Sequence, residues 1–189
     1  SYISQSGLGL PNRDYYLDAR FERQRGLYRA YLEQMLTLAG WANPSASADA
    51  VMAFETRIAE AHWSPEQSRD RDRTYNEFTP ASLTETAPGF DWAGYMNAAG
   101  LGDVQRVVVR QNTAFPQMAA IFAETPVETL QAWQAFHTTD RAASRLSKRF
   151  ADAQWGFRLR DLQGQPEQRA RDKRGISFTE GMLGESMGR

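Results

Sequence analysis

Apolar side chains at helical spacing, stopped by glycine and restarted by proline, constrain this chain more than any other feature. Phe21, Tyr28, Leu32, Met35, Leu36 and Ala39 recur at three- and four-residue intervals from residue 18 onward, and Gly40 falls where a left-handed residue ends a helix. A second helix follows Asn43 and Pro44, with Val51, Phe54, Ile58 and Ala61 on one stripe, and ends near Trp63. Ser64, Pro65 and Gln67 then supply an N-cap, an N1 proline and a capping-box partner. The same punctuation returns at Thr79-Pro80, and again at Thr125-Pro126 with Glu128. The latter helix carries Leu130, Trp133, Phe136 and His137 on its apolar side.

Further helices are predicted from Phe90 to Ala99, closed by Gly100, from Asp140 to Leu162 with Leu146, Phe150 and Ala153 apolar, and after Gly164 and Pro166 to the end. Gln105 to Gln111, with three consecutive valines, is the only good strand candidate, so it must pair with a distant segment or with something outside the chain. No internal repeat or low-complexity linker divides the sequence. The expected fold is mainly α, a multi-helix bundle-like single domain over residues 1–189 with at most one or two short strands around residues 105–111.

Composition removes several chemistries. With no cysteine there is no disulfide, thiolate nucleophile or zinc finger, and the two histidines, His62 and His137, stand 75 positions apart with no His-Glu-x-x-His. No run reaches the roughly 18 apolar residues that a membrane-spanning helix requires, so no membrane segment is expected in this window. Charge is uneven: of 22 basic residues 11 follow Asp140, giving +5 on the last 49 positions and −6 on the first 140. Arg141, Arg145 and Arg149, spaced by four, are predicted to form a basic stripe. It reads as a solvated face paired with Asp140, Asp152 and neighbours rather than a nucleic-acid surface, which would add more net charge and base-reading side chains.

The remaining candidates read as structural. Glu55 and His62 share a face two turns apart but do not match a ligand pair, and His62 beside Trp63 is expected to be buried. His137, near a helix end, would suit the dipole as a cation. Gly7-Leu8-Gly9-Leu10-Pro11 lacks the third glycine, the Lys-Ser/Thr pair and the preceding strand of a phosphate loop, and reads as a turn. Arg69 to Arg73 alternates basic and acidic residues before Thr74-Tyr75-Asn76. Interleaved arginines oppose a cation site, so a surface ion-pair network pinning a loop is the expectation. Gly181, Gly184 and Gly188 would let another helix approach closely, and Glu180, Glu185 and Arg189 beside them exclude a membrane setting. No catalytic or metal residue is assigned, and substrate-binding residues are unknown.

Four strings in order carry a resemblance. Gly7 to Leu17 (Gly-Leu-Gly-Leu-Pro-Asn-Arg-Asp-Tyr-Tyr-Leu), Arg69-Asp70 with Arg73-Thr74-Tyr75-Asn76, Phe90-Asp91-Trp92 before Val107-Val108-Val109, and Gly164, Arg169, Lys173-Arg174 with Leu183-Gly184-Glu185-x-x-Gly188 together resemble the N-terminal helical region of the neprilysin and endothelin-converting-enzyme family of zinc metallopeptidases. Lacking cysteine and an anchor, the chain is similar to a bacterial-type member. The resemblance implies a parent zinc endopeptidase that cuts small peptides, with its zinc held by His-Glu-x-x-His and a downstream glutamate in a C-terminal catalytic domain absent from this chain. It also implies that this region restricts substrate access across an internal cavity. The expected partners are that catalytic domain and peptide substrates, with no nucleic acid. The expected location is the bacterial periplasm or the extracellular space.

The chain begins at Ser1 and runs out at Arg189 inside a helical pattern, as a fragment would. Such a fragment is expected to be inactive and to bind no zinc. It is also expected to expose apolar surface where its partner domain packs, through Val107 to Val109 or through Ile176, Phe178, Met182, Leu183 and Met187. The competing reading is a free-standing helical protein-interaction module without enzymatic activity.

Overall fold

Helix punctuation places the framework where the periodicity puts it. A computed structural model describes residues 1–187 of the chain, with side chains to 184. A short α1 (Asp14–Leu17) precedes α2 (Glu22–Leu38), and α3 (Pro44–Ala61) packs back against α2. The turn between α2 and α3 is a Schellman stop. Gly40 adopts φ +75°, its N–H donates to the Thr37 carbonyl at 3.0 Å, and Trp41 N–H reaches the Leu36 carbonyl at 2.9 Å. After α4 (Pro80–Thr86), helix α5 (Trp92–Ala98) ends in the same way at Gly100, φ +69°. The expected cap at Thr79 forms a full capping box with Ser82.

Helices α6 (Ala114–Glu124) and α7 (Val127–Ala142) follow, then α8 (Lys148–Gln154) and α9 (Arg171–Met187). Thr125 does not cap α7 as its position suggests. Its hydroxyl donates to the Ile121 carbonyl at 2.6 Å, so it closes α6 instead. Ser64 and Gln67 do exchange capping-box hydrogen bonds, but these close a single 3₁₀ turn, Gln67–Arg69. The predicted helix from Asp140 to Leu162 is interrupted. A 3₁₀ turn at Ala143–Arg145 and extended backbone at Leu146 reverse the chain so that α8 packs on α2, and α8 then continues as a π-helix over Trp155–Asp161. Arg141, Arg145 and Arg149 therefore stand on different elements and form no stripe.

The valine run is a strand, and its partners come from a distance. β1 (Tyr2–Ile3) pairs in parallel with β3 (Val107–Val109), and β2 (Asn76–Phe78) pairs antiparallel on its other edge, giving the order β1-β3-β2. The fold is mainly α, with three short strands where one or two were expected. Val107 to Val109 are all buried, so they are no exposed interface. The side chains of Val107 and Val109 fill a second core with Leu83, Trp92, Met96 and Phe115, separate from the main core of α2, α3, α7 and α8.

The main core is built around a carboxylate. Glu55, on the apolar stripe of α3, is fully buried at 0% exposure. Its Oε2 accepts from the Tyr16 hydroxyl at 2.6 Å, the Tyr28 hydroxyl at 2.9 Å and the Gly9 N–H at 3.1 Å, and its Oε1 lies 2.8 Å from His137 Nε2. A buried charge is tolerable only when its lone pairs are filled in this way. Burial, then the neighbouring carboxylate, raise both tyrosine hydroxyls far above their usual range, so they remain donors. Beside it Asp140 accepts from Tyr31 at 2.5 Å and pairs with Arg158 at 2.7 Å, and the same guanidinium donates to the Gly9 carbonyl. The Gly-Leu-Gly-Leu-Pro run is thus a turn, as expected, whose amides serve a carboxylate inside the protein.

Gly9 lies so close to Tyr28 that an added Cβ would fall 1.7 Å from its hydroxyl oxygen. Tyr28 cannot yield, because it is completely buried, held by Glu55 and stacked on Phe157. Gly9→Ala is expected to destabilise the fold by about 1–3 kcal/mol through overpacking. Glu55→Ala, which strands Tyr16, Tyr28 and His137 without their acceptor, is expected to cost about 3–5 kcal/mol. Urea unfolding followed by circular dichroism measures both.

Candidate functional site

Between the two cores lies a groove of about 410 Å³ whose walls come from segments far apart in the chain. Phe54 and Ile58 of α3 and Trp133 of α7 form one side, and Phe90, Met118 and Phe122 help form the other. Edge-on aromatic contacts fix the walls: Phe54 meets Trp133 with ring centroids 5.8 Å apart, and Phe90 meets Phe122 at 5.3 Å. The two indole N–H groups bordering the groove are used elsewhere. Trp133 donates to the Gly7 carbonyl at 3.2 Å and Trp92 to the Ala87 carbonyl at 2.8 Å, leaving carbon facing the space.

Among the described residues Ser4, Ser6, Tyr95 and Gln134 supply the polar side chains of the groove, and of these Tyr95 alone is titratable. The arrangement can desolvate apolar side chains of a bound chain and orient them by shape. It has no paired acid and base for bond cleavage. Sequence reasoning assigned none of these residues. Their only signal is aromatic density at 90–95, 115–122 and 133, and nothing local shows that these stretches meet.

His62 is buried beside Trp63, as its position suggested, on the far side of the Ser6 backbone from the groove. Its Nε2 lies 3.2 Å from the Ser6 carbonyl. Burial, with a smaller push from Arg13, lowers its pKa to about 4 despite that carbonyl, so the ring is neutral at pH 7. His137 does not stand at the helix end. It sits inside α7 against Glu55 and the Trp133 ring. The carboxylate that His62 seemed to share is therefore bound to the other histidine, across 82 residues.

The Arg69 to Asn76 cluster forms no ion-pair network among the described residues. Asp70 instead accepts backbone N–H bonds from Asp72 and Arg73, and Arg73 stacks over Trp63 at 4.8 Å. Asn76 ties this loop to the sheet by donating to the Val109 carbonyl at 3.1 Å. Asp140 and Asp152, expected to face the arginine stripe, pair with Arg158 and Lys148.

On α9, Ile176, Phe178, Met182 and Leu183 are exposed, as expected of a face that packs on a partner. Gly188 and Arg189, and the side chains of Glu185 and Met187, lie outside the described residues. Among the described residues no three His, Asp or Glu side chains converge where a metal ion could be held, and no helix is long and apolar enough to cross a membrane.

Comparison with known proteins places this geometry in a wider setting. The N-terminal model of Peptidase family M13 matches residues 1–189. Endothelin-converting enzyme 1 of Cavia porcellus is 28% identical over 165 residues, which cover 82% of this chain and 22% of that protein. The zinc metalloprotease 1 of Mycobacterium tuberculosis in its open state superposes with a TM-score of 0.92 at 31% identity, covering 99% of this chain and 30% of the other. Its inhibitor complex gives 0.93 at the same identity over 29% of that chain. The chain thus spans less than a third of the length of these relatives.

The depressed pKa of His62 fixes the sign of a pH effect. Above the unfolded value of about 6.5 the ring is neutral in both states and nothing is lost. As pH falls from there towards 4 the unfolded chain binds the proton first, so stability drops through that window. Urea midpoints measured at pH 7 and pH 5 are expected to fall with acidification, and to fall less in His62→Gln. An equal fall in both proteins would show that other groups carry the effect.

Proposed function

The chain belongs to Peptidase family M13, and on that premise we propose that it is the access-restricting helical wall of a neprilysin-like zinc metalloendopeptidase that hydrolyses small peptides. The observation that carries this reading is the family match along all of residues 1–189 by a chain that covers only 22% of one relative and 30% of another. A groove walled by carbon and free of acid–base pairs is what a substrate-facing wall needs, since it can hold apolar side chains without cutting anything. The partner in this reading is a catalytic domain of the same parent chain, and the exposed apolar side of α9 supplies a surface for it.

Zinc does not fit the donors of this region. His137 spends Nε2 on Glu55, both of whose oxygens are already occupied, and His62 faces a backbone carbonyl. The zinc and the peptide-bond chemistry therefore belong to the rest of the parent. What this chain's own residues do is present the groove and hold it rigid through the Glu55 and Asp140 networks. By the same reading the parent is a bacterial periplasmic or extracellular enzyme; the mycobacterial source of the similar structures supports the bacterial part of that reading.

The purified chain is expected to retain no stoichiometric zinc by elemental analysis and to leave fluorogenic peptides uncut. Zinc-dependent cleavage by a protease-free sample would overturn the assignment. The parent reading frame separates this reading from a free-standing interaction module: a His-Glu-x-x-His within a few hundred codons is expected, and a gene that encodes no such motif would favour the module.

A further inference from the structure

The unmatched positive charge of the C-terminal quarter converges at one place that the wall reading leaves unused. A pocket of about 410 Å³ opens between the α7–α8 turn and the first half of α9, lined by Arg145, Lys148, Arg171 and Arg174, with Phe178 and Leu146 as its apolar part. Among the described residues no acidic side chain lines it. Lys148 is paired with Asp152, whereas Arg145, Arg171 and Arg174 make no ion pair among the described residues. Arg145 lies over the Phe178 ring at 5.0 Å, a cation–π contact that uses the face of the guanidinium and none of its N–H donors. The Nε of Arg174 is buried and has no hydrogen-bond acceptor among the described residues. Arg174 as a whole is half-buried, and this one unpaired donor marks a place in the pocket wall where an acceptor can be taken up.

From these features we propose that the pocket docks an acidic peptide segment, a carboxylate side chain on the arginines with an apolar neighbour against Phe178 and Leu146. Planar guanidinium forks match carboxylates bidentately, and the pocket's size suits one or two residues. The adjoining aromatic and leucine surface selects a peptide over a bare anion. At 100° per residue Ile176 and Leu183 point roughly 130° away from the pocket side of α9. Ile176 and Leu183 therefore remain free to pack on a catalytic domain while Phe178 is engaged here.

Isothermal titration of the 189-residue chain with acetyl-Leu-Glu-Leu-Glu-amide, its Gln isostere acetyl-Leu-Gln-Leu-Gln-amide, and inorganic phosphate tests the assignment. The acidic peptide is expected to bind with an affinity that falls as salt rises, and the isostere at least about tenfold more weakly. Arg174→Gln and Arg145→Gln are each expected to weaken the acidic peptide by about tenfold, and Arg23→Gln, on the exposed side of α2, to leave it unchanged. Far-UV circular dichroism of each variant checks the fold. Equal affinity for the isostere, insensitivity to both pocket variants, no binding at all, or phosphate binding as tightly as the acidic peptide would each overturn the proposal.

Discussion

One carboxylate organises the larger core. Glu55 draws together a hydroxyl from α1, another from α2, the imidazole of α7 and a backbone amide of the N-terminal turn, so four segments are held at hydrogen-bond distance from one side chain. Apolar packing alone would tolerate small slides between α2, α3 and α7, because dispersion and burial are nondirectional. A fully desolvated carboxylate does not, since each acceptor position left empty costs more than a typical core contact supplies. Arg158 extends the constraint by meeting Asp140 and the Gly9 carbonyl from the π-helical end of α8. The single residue with no side chain in this crowded place, Gly9, is the consequence.

This arrangement explains why the helices were legible in sequence and the centre was not. Gly40 and Gly100 announce their helix stops because a positive φ is a local requirement that few residues other than glycine meet cheaply. Glu55 sits four residues after Val51 and beside Phe54, inside the stripe that marks the buried face, and an acidic residue there is a signal of a buried network. What cannot be read locally is the partner. His62 is near in sequence and turned away, whereas His137 is far in sequence and in contact. Likewise Gly7 to Pro11 looks like a surface turn until Glu55 is placed under its amides.

The misread stretch from Asp140 to Leu162 has a related cause. Its apolar spacing suits a continuous helix, but Asp140 must face Tyr31 while Phe150 and Phe157, farther along the chain, pack into the same core. A straight helix cannot bring both ends to one place. The chain breaks at Leu146, which is left exposed, and doubles back. Strands β1 and β2 escaped notice for a simpler reason: at two and three residues they are too short to show an alternation, and they exist because the valine run had both edges to fill.

Rigidity and exposure divide the molecule in a way that bears on its role. The groove takes one wall from α3 and α7, which the Glu55–His137 contact holds together, and the other from the second core. Of the candidate site, only its aromatic density was readable, because the meeting of Phe54, Phe90, Phe122 and Trp133 depends on how two cores lie against each other. By contrast α9 carries Ile176, Phe178, Met182 and Leu183 in the open, with no comparable buried carboxylate among its described side chains. An amphipathic helix that leaves this much apolar surface in water gains stability only when something covers it. In the proposed reading the groove and the uncovered helix are complementary: the first shapes a space, and the second attaches that space to another body.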